Sequence, residues 1–173
     1  HIFDIRFQAG MYIILYTVAV YLLVEALTWK MTKKRGNLVA LLAIFILGDT
    51  GYTAYFNSFY SESVVLITTI FMVAAGILMY RKRYNDYVLL ALFVLSAIIL
   101  TMSKQQNAPV GIIIAILGVG FIYIRKQRSF RIITATLLIA ILAIGVGSYV
   151  LIPQEFVNIN KNHAMSRGVM MGA

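Results

Sequence analysis

The 173-residue chain has no cysteine, two prolines, two histidines, one tryptophan and six acidic residues. Without cysteine there is no disulfide framework and no thiolate metal site, and the sequence carries no mark of its redox compartment. His1 and His163 alone exclude a histidine-rich metal centre. Charged residues are also scarce, at 12%, against about 25% in an ordinary soluble domain. With 61% hydrophobic residues and a mean hydropathy of +0.88, water is not the main solvent of this chain.

What is present is a series of apolar runs at 10–29, 38–48, 64–80, 87–102, 111–124 and 132–152. A spanning helix needs roughly 20 residues, with a range of about 17–25. Most runs meet this with their flanks. The second does not, because 11 residues at about 1.5 Å each cover only about 17 Å of a roughly 30 Å hydrocarbon core. Continuing it through residue 60 completes the crossing and puts Tyr52, Tyr55, Phe56, Phe59 and Tyr60 on one helical face, with Thr50, Thr53, Asn57 and Ser61 opposite. An interfacial helix after a half-membrane segment gives the same pattern. The reading is an all-α integral membrane protein with about six transmembrane helices, near 10–29, 38–60, 64–80, 87–103, 110–124 and 132–152. Residues 1–173 form one transmembrane domain. Because the chain opens on HIFDIR and closes on MMGA, it is expected to be an internal fragment of a larger protein.

The net charge of +9 does not call for nucleic acid, because the basic residues cluster between apolar runs. Lys30, Lys33, Lys34 and Arg35, then Arg81, Lys82 and Arg83, then Arg125, Lys126, Arg128 and Arg131 fall in every second loop. Positive charge in short loops marks the cytoplasmic side, which sends both termini and the segments 49–63 and 103–110 outward. The partner is a lipid bilayer.

Each acid can be weighed singly. Asp86 is most simply a counter-charge in a basic loop, Glu25 can snorkel toward Lys30 or Lys33, and Asp4 and Glu155 lie near outer interfaces. Asp49 within a continuous helix would sit near mid-bilayer, where a carboxylate is a functional candidate by default; capping a helix break is the alternative. Glu62 opens the third long helix, where it suits either the helix dipole or a chemical role. The aromatic stripe is either an interfacial belt or a wall for a sugar or lipid, with Tyr55, Tyr60 and Asn57 as orienting groups. TMSKQQNAP (101–109) gathers Lys104, Gln106 and Asn107 in one short outer loop, with Lys104 able to meet a lipid phosphate.

Four stretches, FDIRFQAGMYIILYTVAVYLL, GDTGYTAYFNSFYSES, TMSKQQNAPVGI and NINKNHAMSRGVM, together resemble a group of bacterial glycan-biosynthesis hexose transferases. YFNSFYSE is the most specific of them. That group is similar in turn to the multi-spanning GT-C type glycosyltransferases, which move sugar from a polyprenyl-phosphate donor to a glycan, lipid or protein acceptor on the outer face. The resemblance implies Glu62 as a catalytic acid of a later outer loop; Asp49 is a second candidate on its expected place in the membrane alone. The resemblance also implies Lys104, and less directly Arg167, as ligands of the donor phosphate, a bacterial plasma-membrane location, and room for a divalent metal ion. The chain departs from the pattern in two places: no large outer loop with a paired acid precedes Glu62, and His163 stands where an aromatic residue is expected. The first catalytic acid is therefore expected outside this chain, and the chain alone is expected to be inactive. A transporter or lipid flippase, and a membrane scaffold without chemistry, are the competing readings.

Overall fold

The computed structural model describes residues 5–57, 61–82 and 84–151, with the backbone alone at Ile5, Tyr52, Thr53, Asn57 and Gln105. All regular structure among them is helical: α1 (Ile5–Thr28), α2 (Lys33–Leu47), a single turn α3 (Thr50–Thr53) followed by a 3-10 turn (Ala54–Asn57), α4 (Glu62–Tyr80), α5 (Asp86–Ser103), α6 (Ala108–Ile124) and α7 (Arg128–Val150). In an apolar solvent every backbone N–H and C=O must be satisfied within the segment, which leaves a chain of this composition little choice but helix. Interior hydroxyls obey the same constraint. Thr68, Thr101 and Thr134 are buried and donate to the carbonyls of Val64, Ala97 and Phe130, one turn back.

Six long helices lie where the six runs were expected, though the second falls short of its expected span. Four of them, Arg6–Thr28, Glu62–Tyr80, Asp86–Ser103 and Arg128–Val150, are long and apolar enough to cross a membrane, and Ala108–Ile124 is shorter. Their outward faces are apolar, with Leu117 74% exposed and Ile139 66%, as suits helices surrounded by lipid.

The second helix differs from the expected span at 38–60: it begins at Lys33 and ends at Leu47. Gly48 closes it with its N–H on Ile44 O, and Asp49 then takes an extended conformation and caps α3, its carboxylate accepting from Gly51 N at 2.8 Å. An aspartate offers the backbone a local partner that competes with helix continuation, so Gly48-Asp49 is a stop followed by a restart. The end of α2 is fixed in height by Tyr16, whose hydroxyl donates to Leu47 O at 2.5 Å. Tyr16 lies halfway along α1, so α2 covers only part of the thickness that α1 covers.

From there residues 50–57 run beside α1 toward the start of α4. Phe56 is 2% exposed, edge-on to Tyr16 with ring centroids 5.0 Å apart and tilted against Tyr12 at 6.4 Å. Tyr55 points away and is 45% exposed, so 50–57 is not one α-helix with a single aromatic face. Ser63, fully buried, donates to Tyr55 O at 2.8 Å and ties the segment to α4.

The helices pack as hairpins. α4 pairs with α5 and α6 with α7, α1 lies on α4, and α2 leans on α1 with no buried residue of its own. The main core joins α4–α7 through Leu78, Leu90, Phe93, Ile114, Leu138 and Ile141, and a second, smaller core holds Tyr16, Phe56 and Ile67. Antiparallel hairpins bring the loop residues 29–32, 81–82, 84–85 and 125–127 to one end, the basic end. The loop 104–107 and the start of α4 lie at the other, the polar end.

Candidate active site at the polar end of the bundle

Two side chains from different hairpins meet at the polar end. Glu62 is the first residue of α4, held in helical register by Val65 N on Ser61 O at 3.0 Å. Lys104 is the C-cap of α5, in extended backbone, where the helix gives way to the 3-10 turn Gln105–Asn107. Lys104 Nζ donates to Glu62 Oε1 in a direct ion pair. The pair is part-exposed, 34% for Lys104 and 38% for Glu62, so it adds little to folding and is within reach of a ligand. Glu62 Oε2 is shielded from solvent and has no hydrogen-bond partner. A carboxylate oxygen in that condition has acceptor capacity in reserve.

Around the pair the backbone is held by short polar contacts. Ser103 Oγ donates to Leu100 O at 2.7 Å, Asn107 Nδ2 donates to Ser103 Oγ at 3.0 Å, and Asn107 N donates to Lys104 O at 2.9 Å. Asn107 thus shapes the Lys104 turn, while Gln106 is exposed at its tip. Pro109, in the first turn of α6, starts the next helix where no internal N–H bond is lost.

The structure brings together Glu62 and Lys104, with Asn107 and Gln106 beside Lys104, and connects Tyr55 to the site through Ser63. Asp49 stands apart. It is the cap of α3, exposed, level with the middle of α1, with Thr50 Oγ1 also within 3.4 Å. Its capping role is the alternative reading of the sequence, and it replaces the expectation of an acid inside a continuous helix. For Asn57 only the backbone is described, at the end of the 3-10 turn, and Tyr60 and Arg167 lie outside the described residues. Among the described residues no three His, Asp or Glu side chains gather as a metal-holding group.

Sequence reasoning missed three contacts. Glu25 accepts from Tyr84, whose hydroxyl lies 2.6 Å from both carboxylate oxygens. Asp86 neutralises Arg125 from a different loop through a two-pronged ion pair, and Arg125 also reaches Met79 O at 3.3 Å. The hydrogen bonds to Asp86 are the largest influence on the Arg125 guanidinium and push its pKa up from the ordinary value. The third is Glu62 with Lys104. Both sit in loops that charge parity puts at one end, so this pairing had a signal in the sequence.

Helices of membrane length, lipid-facing apolar surfaces, basic loops at one end and a polar cluster at the other define a multi-pass helical membrane domain. The chain belongs to the family described as the YfdI N-terminal transmembrane domain, whose model matches residues 1–173. No curated protein and no solved structure matches it significantly.

Proposed function

We propose that this domain serves a membrane glycosyltransferase that moves a hexose from a polyprenyl-phosphate-linked donor to a cell-surface glycan acceptor, on the outer face of a bacterial plasma membrane. The observation that carries the reading is the Glu62–Lys104 pair, an acid and a cation from two hairpins, open to a ligand at the polar end. The family match supports the membrane setting, and the resemblance of YFNSFYSE and TMSKQQNAP to hexose transferases supplies the reaction.

In this reading the two side chains act in turn. A donor phosphate arriving at the polar end competes for the Lys104 ammonium, a compact cation with three donors. Contact with the phosphate draws Lys104 from Glu62 and leaves the carboxylate to accept from an acceptor hydroxyl. The hydroxyl oxygen then attacks sugar C1 in line as its proton passes to Glu62, the C1–O bond to phosphate breaks, and Lys104 stabilises the departing lipid phosphate. The configuration at C1 inverts and no covalent intermediate is needed. The second acid that the resemblance calls for comes from elsewhere in the protein.

The interior of the bundle speaks against a transporter. Among the described residues the buried polar side chains are serines and threonines, and the ionisable groups collect toward the two ends and at the α2–α3 break. A midplane substrate or ion site needs the opposite distribution.

The test is Glu62→Gln in the intact protein, with sugar transfer from a polyprenyl-phosphate donor and thermal stability measured side by side. The expected result is a loss of about 10²-fold or more in rate, at nearly unchanged stability. Transfer at the parental rate, or a loss that merely tracks unfolding, would make Glu62 a structural residue.

A further inference from the structure

The basic end carries a feature that the transferase reading does not use. Two of its arginines are tied to the protein: Arg81 donates to Trp29 O at 2.9 Å, and Arg125 is paired with Asp86. Arg128 and Arg131 are different. Both are exposed on the first turn of α7, three residues apart and so on one face, and neither has a carboxylate partner among the described residues. Arg131 rests over the Tyr123 ring at 5.9 Å, which holds it toward α6.

These two arginines form the mouth of a groove between α6 and α7. Its outer chamber, about 460 Å³, is lined by Arg128, Arg131, Ile122, Ile132 and Ala135. A second chamber, about 260 Å³, continues it: Ile122 and Ala135 border both, and Val119, Leu138 and Leu142 lead on toward mid-bundle. The α7 wall therefore reads basic, basic, apolar, apolar along one stripe from Arg128 to Leu142. Its apolar part, from Ile132 to Leu142, is about 15 Å long at about 1.5 Å per residue, matching the roughly 15 Å of hydrocarbon in one leaflet.

From this geometry we infer that the α6–α7 groove at the basic end is a binding site for an anionic glycerophospholipid, with the phosphate at Arg128 and Arg131 and one acyl chain along the apolar chambers. Two observations select that occupant. Two cations without acidic partners face a groove otherwise apolar, which fits a negative head group joined to a hydrocarbon tail. The length of the apolar wall fits a chain of one-leaflet depth, whereas a polyprenyl tail runs well beyond it. The first turn of α7 adds to the attraction, because its N–H groups precede the first intrahelical bond, Arg131 N to Gln127 O, and carry the positive end of the helix dipole.

The site is tested on the intact protein in mild detergent by native mass spectrometry, titrating phosphatidylglycerol, phosphatidylcholine of the same chains, and a polyprenyl phosphate. Phosphatidylglycerol should bind in preference to phosphatidylcholine. R128Q with R131Q should weaken it by about fivefold per arginine, with little change in phosphatidylcholine. K33Q with K34Q removes equal charge from the first turn of α2 at the same end and should leave phosphatidylglycerol bound. Ala135→Phe, which fills the passage between the chambers, should weaken both phospholipids while the protein keeps its helix content. Equal losses in the two double variants would reduce the effect to general surface charge and overturn the site. Phosphatidylglycerol binding unchanged by R128Q with R131Q would overturn it too, as would displacement of phosphatidylglycerol by equimolar polyprenyl phosphate.

Discussion

Glu62 and Lys104 share one contact, so their substitutions should not act independently. In steady-state transfer assays Lys104→Ala should raise the half-saturating donor concentration by about tenfold or more, the weight of one hydrogen bond to a charged group. Glu62→Gln should act mainly on turnover. The double variant should lose less than the product of the single losses, because each single change already breaks the pair; losses that multiply would show two residues working apart. Lys104 stood out in the sequence as the lone charge of its outer loop and Glu62 as an acid opening a long helix, and the alternation of basic loops already put both at one end. Their meeting depends on how α4 packs against α5, which periodicity does not specify. Glu25 shows the limit in the other direction: Lys30 and Lys33 are its near neighbours in sequence, yet Tyr84, 59 residues away, donates to its carboxylate.

At the level of elements, long uniform helices were legible and interruptions were not. The hydrophobic runs located α4, α5, α6 and α7 to within a few residues, because their few hydroxyls bond back onto the helix carbonyls and leave it unbroken. Residues 48–57 fit a continuous aromatic helix equally well by spacing, and only the capping preference of Asp49 and the burial of Phe56 against Tyr12 and Tyr16 decide the matter. Helix packing had no sequence signal beyond the presence of glycine. At Gly145 of α7 an added Cβ would lie 3.1 Å from Ala108 O and 3.2 Å from Ile112 N, backbone atoms that cannot swing aside. Gly145→Val should therefore cost about 1–3 kcal/mol by overpacking. Gly147→Val, two residues on with nothing within 4 Å, should stay within about 0.5 kcal/mol. Thermal unfolding of both variants in one detergent checks the difference, and equal shifts would remove α6 from the explanation.

For the molecule as a whole, the absence of cysteine is an experimental convenience, since any introduced thiol is the only one this chain contributes. With the basic end cytoplasmic, a cysteine at Gln106 should react with an impermeant maleimide added to intact cells, and one at Gln127 only after lysis. The reverse pattern would turn the domain over and put Glu62 on the cytoplasmic side. The same view of the molecule gives the short second helix a consequence for the bilayer. α2 is about 22 Å long beside an α1 of about 36 Å, in a hydrocarbon layer of roughly 30 Å. Lipids along the α2 flank have too little apolar wall to match, and the cheapest response is a local dimple in the membrane surface. Reconstituted into phosphatidylcholines of increasing chain length, the domain should unfold at progressively lower temperature, and a stability indifferent to chain length would rule the dimple out. Because residues 48–57 run from the end of α2 toward the start of α4, the dimple would let lipid head groups sink along that segment, well below the level they keep beside α1.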